Sequence, residues 1–152
     1  SYDVTGKLNY FIARSYHETT MKYKNPPVSK NVVVFEEQIN WNEPIVLVEG
    51  VFDAISVRRN AVPMLGKFLP KKLEVKLLEN QVKDVYILLD DDARTEALQL
   101  EQKLKAYGIN VSQVLVDGGD AGELGFQKTW EFISNAKQST FKDFIQSRLQ
   151  HK

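Results

Sequence analysis

Two short apolar runs in the sequence each stop abruptly at carboxylates. The first, Ile45–Val48, is followed by Glu49-Gly50, and the second, Val85–Leu89, is followed by Asp90–Asp92. Uninterrupted runs of strand-forming residues, each followed by a segment compatible with a helix, are typical of a parallel sheet that is covered by helices on both faces. Such sheets bind their ligands beyond the carboxyl ends of the strands. The two runs therefore place acidic side chains where a functional site is expected.

The acidic residues predict a metal site. If the two strands are neighbours, the carboxylates of Glu49, Asp90 and Asp92 converge, and their mutual repulsion is relieved by a cation between them. Carboxylate oxygens suit hard cations such as Mg²⁺ or Mn²⁺. Because side chains alternate along an extended chain, Asp90 and Asp92 are expected on one side and Asp91 on the other.

These residues resemble the Toprim domain. The resemblance rests on a hydrophobic strand that ends in Glu49-Gly50, with Asp53 three residues after the glycine, and on a second strand that ends in the Asp-x-Asp pair of Asp90 and Asp92. It extends over about residues 6–132. The two halves together are a fairly specific pattern, whereas either half alone is weak.

An N-terminal stretch narrows the resemblance to the primases of bacteria and their phages. Arg14 is followed by Lys22-Tyr23-Lys24-Asn25-Pro26-Pro27 and then by Lys30, similar to the primase pattern of a strand with an arginine, a Lys-Tyr-x-Asn-x-Pro stretch and a later lysine. The resemblance implies that Arg14, Lys22, Asn25 and Lys30 contact nucleotide phosphates and template. A solvated hairpin edge protected by lysines is the competing interpretation.

The resemblance also implies metal-binding roles for Asp53 and Asp120. Asp53 falls in the first turn of a helix predicted over 51–60, where the helix dipole favours a carboxylate, so helix capping is a competing role. Asp120 lies in a glycine-rich loop where the primase pattern continues to a second aspartate, but this chain has Gly122 there. Ordinary glycine–aspartate turn chemistry competes for that loop.

Lys67 is a second departure from the primase pattern. It follows Gly66, where related primases tend to have a small hydroxyl residue, so the local role stays open. A separate expectation concerns the helix predicted over 51–60. Phe52 and Ile55 fall on one face of this helix, apart from Arg58 and Arg59, which are expected to be exposed.

The order of elements predicts an α/β fold. We expect a mostly parallel, four-stranded Toprim sheet of the Rossmann-like type, flanked by helices and preceded by a small N-terminal antiparallel β lobe. The predicted domains are residues 1–43 for the basic lobe, 44–136 for the Toprim domain and 137–152 for a C-terminal helix or the start of a linker. Strands are predicted over 1–15, 19–27, 32–35, 45–48, 61–65, 85–89 and 111–116, and helices over 51–60, 69–81, 93–107 and 141–149. A further packed helix is predicted to contain Trp130, Phe132 and Ile133.

Composition and charge bound the function. The 152 residues hold 20 basic and 20 acidic side chains and no cysteine, which argues against strong non-specific DNA binding and excludes disulfides and thiolate zinc sites. Residues 7–30 carry five basic residues and one acidic residue, whereas 31–50 carry four acidic residues and no basic one. A basic surface beside an acidic site suits a metal-dependent nucleotide enzyme. No run is apolar enough to span a membrane, and we expect a cytoplasmic protein, in the host cytoplasm if a phage encodes it.

The primase resemblance implies a Mg²⁺- or Mn²⁺-dependent nucleotidyltransferase that makes short RNA primers on single-stranded DNA from ribonucleoside triphosphates. Because the chain opens so close to a strand, we expect it to be a piece of a longer protein, with a replicative helicase as a further partner. Two alternatives stay open. One is a Toprim nuclease or a topoisomerase-type strand-cleaving enzyme that uses the same acids, and the other is a non-catalytic nucleic-acid-binding Toprim module.

Overall fold

The computed structural model describes residues 1–116 and 121–136. Two short 3₁₀ turns, Glu36–Gln38 and Asp91–Ala93, accompany the regular elements. In chain order these elements are β1 (Ala13–Arg14), β2 (Tyr23–Lys24), β3 (Ile45–Val48), α1 (Val51–Val57), β4 (Ala61–Pro63), α2 (Lys71–Glu79), β5 (Asp84–Leu88), α3 (Arg94–Ala106), β6 (Asn110–Gln113) and α4 (Ala121–Asn135).

The main sheet has four parallel strands in the order β4-β3-β5-β6. The two central strands, β3 and β5, are the ones that lead into the acidic residues, and their last residues, Val48 and Leu88, lie opposite each other. The carboxyl ends of these strands therefore meet at one edge of the sheet. The predicted α/β fold with a four-stranded parallel sheet is confirmed.

Helices cover both faces of the sheet. Ile45 and Leu47 of β3 pack into a core with residues of α2 and α3, whereas Val46 and Val48 pack on the opposite face with residues of α1 and α4. All four residues of β3 are buried. Burial on both faces is the reason that this strand is an uninterrupted apolar run.

A small antiparallel lobe precedes the sheet. β1 and β2 pair with Arg14 opposite Tyr23, and an isolated bridge joins Tyr2 to Leu8. The predicted strand over 1–15 therefore contributes only Ala13 and Arg14 to a ladder. The antiparallel lobe is confirmed, but it has less regular structure than the sequence indicates.

The strand predicted over 32–35 is wrong. Val33 and Val34 are buried, but in two separate clusters, Val33 in the core with α2 and α3 and Val34 with Tyr10 of the lobe. Phe35 has a φ of 61°, in the left-handed region, and its N–H donates to Ser1 Oγ at 2.8 Å. The chain therefore turns into a 3₁₀ helix where a strand would continue.

Several element ends differ from the prediction. α1 ends at Val57 because Arg58 adopts a φ of 65°. Pro70 is the N-cap of α2, so this helix begins at Lys71, two residues later than predicted. α4 is interrupted at Gly125, whose φ is 72°. The predicted helix over 141–149 lies outside the described residues, and no helix in the described part of the chain is long and apolar enough to span a bilayer.

Candidate metal and nucleotide site

Glu49 lies immediately after β3, at the carboxyl edge of the sheet. Its backbone carbonyl accepts a hydrogen bond from Gly66 N–H at 3.2 Å. Its Oε2 is buried and accepts no hydrogen bond from the described residues. A buried carboxylate oxygen without a donor is costly, so Glu49 is the residue of this edge that most needs a ligand.

Gly50 and Asp53 form the start of α1. The N–H of Gly50 donates to Asp53 Oδ2 at 2.9 Å, which is the side-chain half of a capping box. A Cβ atom at position 50 would lie 2.9 Å from the same oxygen, closer than real Cβ atoms come. The glycine after Glu49 therefore permits the capping carboxylate to approach the backbone. The structure gives Asp53 this capping role, and its metal-binding role stays a prediction.

Asp90 and Asp92 reach the same edge from β5. β5 ends at Leu88, and Asp90 is the N-cap of the 3₁₀ turn Asp91–Ala93, with Ala93 N–H donating to its carbonyl at 2.9 Å. Because β5 has already ended, this turn and not strand alternation positions Asp92. The side chain of Asp91 lies outside those that the structure describes.

The three predicted carboxylates converge. One oxygen from each of Glu49, Asp90 and Asp92 lies within 4.8 Å of the other two. Burial raises the pKa of Glu49 above its ordinary value, Asp90 and Asp92 raise it further, and Lys67 opposes this rise. Close carboxylates with an orphaned buried oxygen fit a hard divalent cation. The donor set therefore suits Mg²⁺ or Mn²⁺.

Lys67 is the residue that the sequence analysis did not connect with the acids. Its Nζ lies 2.8 Å from Asp92 Oδ2, and this hydrogen bond raises the pKa of Lys67. The turn that carries it follows β4, which is parallel to β3. The topology was the available signal, because a turn after a neighbouring parallel strand lies at the same edge as Glu49.

A cleft of about 800 Å³ opens beside the acidic residues. It brings together both groups of predicted site residues. The lining includes, from these predictions, Arg14, Lys22, Asn25 and Lys30 of the lobe and Glu49, Asp53 and Asp90 of the sheet edge. Asp120 lies outside the described residues.

Arg14 contacts two neighbouring aromatic rings at the cleft. Its Cζ lies 5.5 Å from the ring centre of Tyr23 and 5.4 Å from that of Phe52, within the range of a cation–π contact. The sequence analysis missed this role of Phe52. Phe52 and Ile55 do not face the core but are 38% and 54% exposed, because α1 buries Ala54 and Val57 instead.

Lys30 connects the lobe to the turn before Lys67. Its Nζ donates to the carbonyl of Leu65 at 3.0 Å. Lys22 is exposed, with its Nζ 5.9 Å from the ring centre of Tyr23. The basic residues therefore lie on the cleft, and their contacts with phosphates stay a prediction.

Solved primases share this architecture. The Aquifex aeolicus primase, with its zinc-binding and RNA polymerase domains, matches with a TM-score of 0.71 at 27% identity, over 90% of this chain and 39% of that one. The chain has the fold of a primase catalytic core. The E. coli primase catalytic core matches with a TM-score of 0.69 at 21% identity, over 89% of this chain and 50% of that one.

One of the similar primase structures is a complex with nucleic acid. A DnaG primase catalytic domain bound to single-stranded DNA matches with a TM-score of 0.71 at 22% identity, over 90% of this chain and 51% of that one. The chain thus spans between 39% and 51% of these three primase structures. No protein-family model matches the sequence, and no curated protein gives a significant match. The resemblance to primase Toprim domains is therefore confirmed through the fold.

Proposed function

We propose that this chain is the catalytic part of a DNA primase that synthesises short RNA primers on single-stranded DNA. One observation carries the proposal. Three acidic oxygens converge within 4.8 Å at the carboxyl edge of a primase-type sheet, and the basic residues of the lobe line the adjoining cleft. Acidic and basic groups are thus arranged side by side, as nucleotidyl transfer requires.

Glu49, Asp90 and Asp92 are the residues that would hold one or two divalent cations, with Asp53 and Asp120 as further proposed ligands. When bound, Mg²⁺ or Mn²⁺ lowers the pKa of the attacking 3′-hydroxyl and stabilises negative charge on the pyrophosphate leaving group. Glu49 fixes the position of the site, because it is partly buried and its backbone is bonded to the turn after β4. Asp90 and Asp92 are exposed and so are accessible to a ligand.

Arg14, Lys22, Asn25 and Lys30 would bind the template strand and the triphosphate. The rings of Tyr23 and Phe52 restrict the guanidinium of Arg14, so less conformational entropy is lost when it contacts a phosphate. The DNA complexes of primase catalytic domains in the solved structures support nucleic acid as the partner. We further propose a cytoplasmic location, in a bacterium or a phage-infected host, and a replicative helicase as a partner.

Two assays on one substrate test this function. The 152-residue chain is incubated with single-stranded DNA, labelled ribonucleotides and Mg²⁺ or Mn²⁺, and both RNA synthesis and DNA cleavage are measured. We expect RNA product without strand cleavage, and loss of product in Asp90→Asn.

Asp84→Asn is the matched control, because Asp84 begins the same strand that leads into Asp90 and bonds Asn110 at the opposite edge. The Asp84→Asn variant should keep the RNA-synthesis activity of wild type. Cleavage without RNA synthesis would establish a Toprim nuclease or topoisomerase-type enzyme instead. DNA binding with neither activity, and no metal binding, would establish the non-catalytic module.

A further inference from the structure

A lysine ammonium group already contacts one of the three converging carboxylates. Lys67 Nζ lies 2.8 Å from Asp92 Oδ2. Its side chain is 29% exposed, whereas that of Asp92 is 75% exposed. Lys67 is therefore the more constrained partner of the pair, and its position depends on the turn that carries it.

That turn is fixed by the backbone around Glu49. Leu65 has a φ of 61° and Gly66 a φ of 146°, so two successive residues adopt positive φ. Gly66 N–H donates to the carbonyl of Glu49 at 3.2 Å, and Lys30 Nζ donates to the carbonyl of Leu65 at 3.0 Å. The turn is thus bonded both to the end of β3 and to the N-terminal lobe, which holds Lys67 at the acidic edge.

The charge of Lys67 acts on the same carboxylates that a cation would bind. It offsets part of the repulsion among Glu49, Asp90 and Asp92, and a cation bound to Asp92 must either displace the ammonium group or lie beside a like charge. Either case costs affinity.

We propose that Lys67 competes with the divalent cation for Asp92 and lowers the affinity of the acidic site for Mg²⁺ or Mn²⁺. This inference rests on the metal site of the proposed function. It identifies Lys67 as a residue that sets metal affinity. The departure from the primase pattern at this position then has a functional consequence.

Mn²⁺ titration by isothermal calorimetry, without nucleotide or DNA, tests the competition. Lys67→Met should bind Mn²⁺ about tenfold more tightly than wild type, as expected when one positive charge beside a divalent-cation site is removed in a solvated environment. Lys67→Arg, which keeps the charge, should stay close to wild type. Lys67→Gln should behave like Lys67→Met and guards against an effect of the apolar side chain on folding.

Lys76→Met is the matched control. Lys76 also pairs with acids, Glu36 at 3.4 Å and Glu79 at 3.8 Å. Because Lys76 lies on α2, its substitution removes the same charge at a position away from the acidic site. Its Mn²⁺ affinity should be unchanged, which separates a local effect from net charge. In the Asp92→Asn background, Lys67→Met should no longer increase affinity, because the contested carboxylate is absent.

The outcomes separate the two proposals. If wild type binds Mn²⁺ and both neutral variants bind it equally or more weakly, competition by Lys67 is refuted and the metal site stands. If wild type and all Lys67 variants fail to bind at millimolar Mn²⁺, the metal site itself is refuted, and this inference with it.

Discussion

Two partly or fully buried glutamates in this molecule show opposite electrostatics. Glu74 is 2% exposed, yet Lys103 Nζ at 2.7 Å and Tyr107 Oη at 2.6 Å hold its pKa at about 2. Glu49 has a buried oxygen without a donor among the described residues, and its pKa is raised by burial and by neighbouring carboxylates. A satisfied carboxylate supports the fold, whereas an unsatisfied one beside other acids is typical of a functional site.

Glu49→Gln should separate stability from function at this residue. The substitution removes a charge from a repelling cluster without changing side-chain size, so the metal-free protein should gain about 0.5–2 kcal/mol of unfolding free energy. RNA synthesis should fall by orders of magnitude. Thermal melts with and without Mg²⁺ measure the change in stability. Addition of Mg²⁺ should raise the melting temperature of wild type more than that of the variant. A variant that melts lower without metal, with equal gains from Mg²⁺, would show that Glu49 is scaffolding.

Asp90→Asn and Asp92→Asn should each weaken Mn²⁺ binding by about tenfold or more, since each removes one full charge from the direct coordination sphere. Both carboxylates are exposed, so the fold should be unaffected. Calorimetric titration measures the Mn²⁺ affinity, and circular dichroism checks that the fold is intact. Asp84→Asn should leave Mn²⁺ affinity unchanged, and a comparable loss there would refute a local site.

The sequence predicted the acids better than their surroundings. Glu49 follows a fully buried strand and Asp90 follows a largely buried one, and burial leaves a clear apolar signature. The convergence of Asp92 with Glu49 and Asp90 is observed, but for a different reason than the one predicted, because a 3₁₀ turn replaces the expected strand geometry. Lys67 and Phe52 were missed, since one depends on a turn with positive φ and the other on which face of α1 the neighbouring elements cover.

At the scale of elements, an apolar run predicts burial more reliably than it predicts a strand. Ile45–Val48 and Val32–Phe35 are both four-residue apolar runs, but only the first has neighbours with which to form a ladder. The second is held by side-chain contacts and by the hydrogen bond from Phe35 to Ser1. Runs this short carry no periodicity that separates the two cases.

Glu74 joins two helices on one face of the sheet. It lies on α2, and its partners Lys103 and Tyr107 lie on and just after α3. Lys71 adds a contact of 3.2 Å from within α2. The packing of these helices on the strands is therefore reinforced by a carboxylate with all its principal donors in place.

This contact predicts a specific pH dependence of stability. The pKa of Glu74 falls from 4.5 to about 2 on folding, so its contribution is fully present above pH 4.5 and is lost as the pH falls towards 2. The linkage corresponds to roughly 3 kcal/mol at neutral pH. Urea unfolding from pH 7 to 2 should show that wild type loses more stability than Glu74→Gln across this window.

Glu79→Gln is the control for that series. Glu79 is on the same helix, but its side chain is 59% exposed and lies 3.8 Å from Lys76, so its substitution should change stability little. If wild type and Glu74→Gln lose the same unfolding free energy between pH 4.5 and 2, the stabilising role assigned to the Glu74 carboxylate is contradicted.

At the scale of the whole molecule, the arrangement of charge matters more than its total. The formal net charge is zero, so non-specific attraction to DNA is weak and binding must come from local contacts. In the proposed function the cleft supplies these contacts, and its lining includes Arg14 and Lys22 of the lobe as well as Glu49 and Asp90 of the sheet edge. We infer that the lobe selects the polyanion and that the sheet edge, once it holds a cation, selects the triphosphate.

Arg14 provides the sharpest test of this division. Arg14→Met should weaken binding of single-stranded DNA and reduce the slope of log Kd against log salt by about 0.7, the value for one phosphate contact on a single strand. Fluorescence anisotropy with a labelled oligonucleotide at several salt concentrations measures both quantities. Lys76→Met, which removes the same charge from α2 outside the cleft lining, should leave affinity and slope near those of wild type.

Phe52→Leu then distinguishes the charge of Arg14 from its positioning. Because the ring contacts the guanidinium at 5.4 Å but carries no charge, its loss should weaken DNA binding several-fold and leave the salt slope unchanged, since the same phosphate contact still forms. If Arg14→Met binds DNA with the affinity and slope of wild type, β1 and β2 are a solvated hairpin edge whose basic residues protect it, and template binding must be sought elsewhere. If Phe52→Leu changes the slope as much as Arg14→Met does, the ring is required for the phosphate contact itself.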